Sequence, residues 1–183
     1  MPDLQRPTLI IRRAEPEDIA MCAHLDAAYQ TDYVWQMHLQ EDERAVQSVF
    51  TQVRLPRTMS ATCPYSPEDL MAAFEQSPHL FVAAYGEEIV GCVSGFAEIW
   101  NTGFVVNNLI VLPQIRRKGV GKLLFKVIKE LAAEQGSRQL MAMVQTKNHS
   151  AIQFARQQGF VFCGYNDRYY PNGDIALIFT LTL

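Results

Sequence analysis

Among the residues of this 183-residue chain, the run Arg116-Arg117-Lys118-Gly119-Val120-Gly121-Lys122 has the types and spacing that most directly imply chemistry. Glycines let the backbone curl so that successive N–H groups converge on one point, and the positive end of a helix aimed at that point favours an anion. Four cations, Arg116, Arg117, Lys118 and Lys122, surround it. Left without a ligand, three adjacent cations at a helix start would be repelled by the dipole. The run is therefore read as a phosphate-binding loop. It is not a Walker A loop, which needs glycine where Arg116 stands and Ser or Thr where Leu123 stands, and it is not a dinucleotide G-x-G-x-x-G.

The elements around this loop follow from periodicity. Leu123, Val127 and Leu131, with Leu124 and Ile128, recur at four-residue spacing, so a helix is expected over Val120 to Gln135, stopping at Gly136. Before it, Leu80 to Tyr85, Glu88 to Ile99 and Phe104 to Leu112 read as three strands joined at Gly86 and at Asn101-Thr102-Gly103. After it come a strand over Leu140 to Val144, a helix capped by Asn148 and ended at Gly159, and strands over Phe160 to Tyr165 and Ile175 to Leu183. Toward the N-terminus, Thr8 to Arg13 reads as a strand, and Pro16-Glu17-Asp18 opens a helix expected to reach about Tyr29. Ala45, Val46, Val49, Phe50 and Val53 carry a second helical pattern closed by Pro56, followed by a proline-bearing loop to Pro67. Ser66-Pro67-Glu68-Asp69 then caps a third helix. The sum is a single α/β domain over residues 1–183, a mixed and mostly antiparallel central sheet of about seven strands flanked by helices.

With these elements in place, the chain resembles the GCN5-related N-acetyltransferases, the GNAT family. Their loop [RQ]-x-x-G-x-[GA] is matched by Arg116, Gly119 and Gly121 after the strand ending Leu109-Ile110-Val111-Leu112-Pro113. A second motif, N-x-x-A followed after seven residues by G-F, is matched by Asn148, Ala151, Gly159 and Phe160. The resemblance implies the GNAT fold and acetyl-CoA as co-substrate. It further implies that the pantetheine arm pairs with the backbone of Leu109, Ile110 and Val111, that the diphosphate lies on the loop at Arg116, Arg117, Lys118, Gly119, Val120, Gly121 and Lys122, and that Asn148 stands near the pantetheine. A further likeness, to streptothricin-type antibiotic acetyltransferases, lies in Trp100-Asn101 followed six residues later by Asn107, where those enzymes tend to have glutamate.

Two family positions are occupied by residues that cannot move a proton. Ala155 stands where the family often has the tyrosine that reprotonates the leaving thiolate, and Met143 stands where members that acetylate ribosomal proteins have a glutamate base. Neither role carries over, and ribosomal-protein acetylation loses support. An amine attacking a thioester must still arrive neutral, and the tetrahedral oxyanion needs donors, for which backbone N–H groups near Val111 are candidates. Glu98, at the end of the strand before the Trp100 turn and the only carboxylate between Glu88 and Glu130, is the candidate base. Among Tyr165, Tyr169 and Tyr170, the candidate acid is Tyr170, which aligns best with a tyrosine of the antibiotic-modifying relatives. His149 is set aside as structural.

Charge narrows the acceptor. Residues 1–115 carry 6 Lys+Arg against 15 Asp+Glu, and residues 116–183 carry 10 against 4, a balance of −9 against +6 that sums to −3. The acidic part includes the segments that build the acceptor side in GNAT proteins, so a small cationic amine is expected, attacking directly in a ternary complex without metal or covalent enzyme intermediate. The alternatives are acetylation of a protein amino group and a non-catalytic acyl-CoA binding or sensing module. Duplex nucleic acid is disfavoured for want of an aromatic platform or helix-turn-helix signal. No apolar run has membrane-spanning length and Met1 to Ile11 lacks a signal-peptide stretch, so a soluble cytoplasmic protein, monomer or homodimer, is expected. Cys22, Cys63, Cys92 and Cys163 are scattered singly and read as buried free thiols.

Overall fold

The computed structural model describes residues 8–98 and 100–183. The strands are β1 (Leu9–Arg13), β2 (Tyr29–Glu41), β3 (Val46–Ala61), β4 (His79–Tyr85), β5 (Glu88–Ala97), β6 (Gly103–Val111), β7 (Gln139–Gln145), β8 (Val161–Asn166) and β9 (Ala176–Thr182). The helices are α1 (Asp18–Ala23), α2 (Pro67–Glu75), α3 (Val120–Glu134) and α4 (His149–Gln157), with a single 3-10 turn at Pro113–Ile115. Seven strands form a mixed sheet in the order β1-β4-β5-β6-β7-β9-β8, and β2 and β3 form a separate two-stranded ribbon. This is the α/β class read from the pattern. Ile99, the last residue of one expected strand, lies outside the described residues.

Two compact units divide the chain. One comprises the described part of Met1–Ala27, with Tyr65–Ala142 and Thr180–Leu183; the other comprises Ala28–Pro64 and Met143–Phe179.

In the first unit β1, β4, β5 and β6 pair antiparallel in turn, and β6 pairs parallel with β7. Strands buried on both faces read as continuous apolar runs. Val82, Cys92, Val93 and Phe104 accordingly have no or almost no exposure, and the stripe of Val120, Leu124, Ile128 and Ala132 along α3 is likewise buried. That stripe repeats every four residues, the spacing that keeps one helix face on a sheet. Gly136, at φ +77, ends α3: the N–H of Gly136 donates to Ala133 O at 3.0 Å and that of Ser137 to Ala132 O at 3.0 Å, a Schellman stop. At α2, Ser66 Oγ accepts from Asp69 N while the Asp69 carboxylate accepts from Ser66 N, the reciprocal cap read from Ser66-Pro67-Glu68-Asp69.

The second unit holds the largest departure from expectation. The helix expected around Ala45 to Val53 is instead β3, paired with β2 from Tyr33↔Arg54 to Glu41↔Val46. Val46, Val49 and Val53 have helical spacing, but they are β-branched and have a full-length cross-strand partner, and pairing overrides so weak a periodic signal. Pro56 does not end the element; it sits where the register shifts opposite Thr31 and Tyr33, a bulge that needs no ladder donor from it. Likewise α1 stops at Ala23 and Tyr29 opens β2, so the helix expected to reach Tyr29 is six residues long. Of the four free thiols, Cys22 and Cys92 are buried as expected, whereas Cys63 is half-buried and Cys163 is exposed.

Candidate active site

The first unit places three elements in succession: β6, the 3-10 turn and α3. β6 keeps its β5 ladder to Val111, yet its β7 ladder covers only Gly103↔Gln139 to Val106↔Ala142. The β5 register also slips here, because Gly95 faces Val106 and Ser94 faces Asn108. Asn107 is therefore opposite no residue of β5 and lies one step past the end of the β7 ladder. Its side chain is exposed, and Asn108 Nδ2 donates to Ser94 Oγ at 3.3 Å beside it. Backbone groups that leave a ladder must find another partner. The opening at Asn107 thus offers main-chain and amide donors, whereas the oxyanion donors were sought by sequence near Val111. Val111 O already accepts from Arg116 Nε at 2.8 Å.

Arg116 is consequently an anchor as much as a cation. Besides Val111 O, its guanidinium donates to Asp26 O at 3.5 Å, and it is half-buried; that burial lowers its pKa, with Asp26 acting in the opposite direction. Arg117 has φ +65, and Gly119 has φ +91 and ψ −11 at the N-cap of α3, so the chain curls left-handed twice within three residues. Gly119 O accepts from Lys122 N and Leu123 N, and no side chain caps the helix. Gly119, Lys118 and Lys122 are exposed, and among the described residues no carboxylate pairs with Arg117, Lys118 or Lys122. Uncapped N–H groups, a helix dipole and three unneutralised cations coincide where the sequence reading placed the anion.

Glu98 belongs to the other end of β6. It follows the last residue of β5, its N–H donates to Gly103 O at 2.8 Å, and its Oε2 accepts from Asn101 Nδ2 at 2.6 Å. Gly103 lies four residues before Asn107, ~13 Å along an extended strand. The structure brings the loop and β6 together but leaves Glu98 in the β5–β6 turn.

The second unit holds the remaining candidates. Asn148 caps α4, its Oδ1 accepting from Ala151 N at 3.0 Å, so the Asn-to-Ala spacing of the second motif is a helix cap. Gly159, at φ +92, supplies the Schellman stop at the other end, its N–H donating to Arg156 O and that of Phe160 to Ala155 O. Ala155 is buried in α4 and Met143 lies in β7, so neither position offers a proton. His149 packs against Tyr33 with ring centroids 5.1 Å apart and planes tilted by 40°; burial, then the charge of Arg156, lowers its pKa. Its Nδ1 and Trp35 Nε1 are buried without a hydrogen-bond partner among the described residues. Tyr170 is buried in the turn between β8 and β9, its N–H donating to Asp174 O at 3.2 Å and its carbonyl accepting from Gly173 N at 2.8 Å.

Sequence reasoning missed the polar chain that surrounds that turn. Tyr29 Oη donates to Gln145 Oε1 at 3.2 Å, Gln145 Nε2 donates to Asp174 Oδ2 at 3.0 Å, and Lys147 Nζ pairs with Asp174 Oδ1. Burial, then the Asp174 charge, pushes the Tyr29 phenol up to about 12. No spacing joins residues this far apart in the chain, and only the fold assembles them.

A mixed sheet with a strand that loses its neighbour beside an anion-receptive helix start defines the class. The sequence profile of the acetyltransferase (GNAT) family matches residues 26–160, and the chain belongs to that family. It is an N-acetyltransferase. Among its relatives, the streptothricin acetyltransferase of Streptomyces lavendulae is 28% identical over 167 residues, covering 89% of this chain and 87% of the relative. The crystal structure of nourseothricin acetyltransferase matches with a TM-score of 0.83 at 24% identity, over 95% of this chain and 98% of that one. The "putative streptothricin acetyltransferase" from Bacillus anthracis str. Ames, in complex with acetyl coenzyme A, matches with a TM-score of 0.76 at 21% identity, over 96% of this chain and 100% of that one. Among the described residues, no helix is long and apolar enough to cross a membrane.

Proposed function

We propose that this N-acetyltransferase takes the acetyl group from acetyl-CoA and transfers it to a primary amine of a small cationic acceptor, in one step within a ternary complex. The observation that carries the reading is the conjunction on β6 and α3: a strand open beyond Val106 beside an uncapped, cation-flanked helix start. An extended pantetheine arm can pair with the free side of β6 at Leu109 and Ile110, and the diphosphate then falls at Arg117 to Lys122. Arg116 and Val111 support the loop from behind. Support for the acceptor comes from the streptothricin acetyltransferase relative and from the acidic balance of residues 1–115. The reading treats residues 1–183 as one domain, since the family match takes in residues of both units.

In the reaction the neutral amine nitrogen attacks the thioester carbonyl, the C–N bond forms, and the oxyanion is met by donors at Asn107. The nitrogen gives up a proton to water, the carbonyl reforms as the C–S bond breaks, and the thiolate of CoA receives a proton. Tyr170 is proposed as the donor of that proton, and Asn148, whose oxygen is held by the helix cap, offers its amide nitrogen to the pantetheine. Removal of the proton from the ammonium is assigned to water, because Glu98 is ~13 Å along β6 from the opening and one of its oxygens is held by Asn101.

The test is a panel of small polyamines, aminoglycoside-like amines, amino acids and N-terminal peptides incubated with acetyl-CoA, following thiol release and the mass of the product. Small cationic amines should turn over, with a KM that rises with salt because exposed charges are screened over roughly 8 Å at physiological ionic strength. Turnover of peptides alone would replace the acceptor assignment with protein acetylation. Acetyl-CoA binding with no turnover across the panel would favour a sensing module.

A further inference from the structure

We infer that Asp174 is a positioning residue that holds the Tyr170 turn and the Lys147-Asn148 segment on one anchor. The inference rests on the reading of Tyr170 and Asn148 given above and deepens it. Asp174 is one carboxylate with three side-chain donors from two directions. From β7 and the residues after it come Gln145 Nε2, at 3.0 Å from Oδ2, and Lys147 Nζ on Oδ1. From the turn between β8 and β9 comes Asn172 Nδ2, at 3.0 Å from Oδ2. The main chain repeats the linkage: Asp174 O accepts from Tyr170 N, Asp174 N donates to Asn172 Oδ1 at 3.1 Å, and Thr146 N donates to Ile175 O at 3.2 Å.

The carboxylate and its Gln145 partner are out of solvent, while the Lys147 side chain and Asn172 are exposed. The Asp174 side chain is 10% exposed, and Gln145, Thr146 and Tyr29 are buried. A carboxylate accepts at about four sites. Here three are filled, one by an ammonium, so its charge is compensated locally and its orientation is over-determined. Removing the charge while keeping the shape leaves an ammonium and two amides competing for one neutral oxygen; water can meet the exposed Lys147 and Asn172 donors, so the buried Gln145 amide is the unmet donor that shifts the segment. The two segments that would shift carry the proposed proton donor and the proposed pantetheine contact. Lys147 stands immediately before Asn148, and Tyr170 lies within the turn that Asp174 closes. The rest of the chain has no share in this carboxylate among the bonds described. The effect of its loss should therefore be local.

The experiment compares wild type with Asp174→Asn, Lys147→Met and Lys147→Arg by peptide-resolved hydrogen exchange, steady-state kinetics and thermal unfolding. Asp174→Asn and Lys147→Met should speed exchange in both segments 145–149 and 167–174, leave β5 and β6 protected, and lower kcat tenfold or more. Lys147→Arg, which keeps a cationic donor, should restore most of the rate. If Asp174 acts through Tyr170, then in a double-mutant cycle Asp174→Asn should cost less than threefold on top of Tyr170→Phe. Unchanged exchange in either segment, or full additivity with Tyr170→Phe, overturns the inference. Should Asp174→Asn fail to fold, Lys147→Met, whose side chain is 42% exposed, carries the same comparison. A wild-type protein that transfers acetyl to no amine would remove the reading of Tyr170, while the exchange data would still decide whether Asp174 anchors both segments.

Discussion

Replacing Gly119 by glutamate separates the charge of the proposed diphosphate site from the backbone that builds it. Gly119 adopts φ +91, where an L side chain is strained, and a Cβ added there meets nothing within 4 Å. The substitution therefore causes no clash, and its folding cost is that of a non-glycine residue in the left-handed region, about 1–2 kcal/mol. Gly119→Ala bears the same cost and brings no charge. In the free protein glutamate has a small compensation, since a carboxylate at a helix start is favourable by about 0.3–1 kcal/mol. The Glu variant should thus be no less stable than the Ala variant. Binding should separate them in the opposite sense. A carboxylate about 5 Å from a phosphate charge, at an effective dielectric near 20, meets a repulsion of about 3 kcal/mol, and exposure of the loop reduces this toward half. At 1.4 kcal/mol per factor of ten, acetyl-CoA should bind the Glu variant roughly ten- to hundredfold more weakly than the Ala variant. Calorimetric titration with acetyl-CoA, paired with thermal unfolding of both variants, measures the two terms separately. Equal affinities within threefold would mean that no anion sits at this helix start, and the site assignment would fall even if the protein acetylates amines.

Further outcomes follow from the same geometry. Tyr170→Phe should lower kcat at least tenfold, the lower part of the usual range for general acid help, with acetyl-CoA affinity unchanged. Glu98→Gln should leave kcat within threefold in the same assay, and a tenfold loss would return Glu98 to the proton path. Gly95→Ala would place a Cβ 2.6 Å from Val105 O and against the Phe104 ring, at the register slip that frees Asn107; strain of this kind costs about 1–3 kcal/mol. Its unfolding temperature and kcat should both fall, whereas loss of stability with normal kcat would disconnect the slip from catalysis. Asp18 is held below its ordinary pKa by hydrogen bonding to Arg12, against the desolvation that would raise it. Its contribution is present above the unfolded value near 3.8 and fades as pH falls through the lower folded value. Urea unfolding should show Asp18→Asn less stable than wild type at pH 7 by about 1–2 kcal/mol, discounted because Arg12 is a third exposed, with the gap closing below pH 4.

Features encoded in neighbouring residues were legible before any fold was known. The four-residue spacing of Leu124 and Ile128, the glycines at 119, 136 and 159, and the caps at Ser66 and Asn148 each encode an element and its ends in neighbouring residues, because helix geometry and left-handed turns act over a few positions; of the parallel row Leu123, Val127 and Leu131, Leu123 is exposed. The loop Arg116 to Lys122 was legible for the same reason, and with it the family. Tertiary structure alone decided the rest. Whether Val46, Val49 and Phe50 lie on a helix or a strand depended on β2 being present to pair with them, and helical periodicity carries no record of their cross-strand partners Glu41, His38 and Met37. Asn107 was visible as a residue but not as the point where two ladders lapse together, since register is a relation between strands. The Tyr29, Gln145, Lys147 and Asp174 chain could not be read at all. Tyr29 lies more than a hundred positions from Gln145, and Gln145 and Lys147 lie 29 and 27 from Asp174, so the fold alone brings them together, and burial leaves Tyr29 and Gln145 no solvent to turn to.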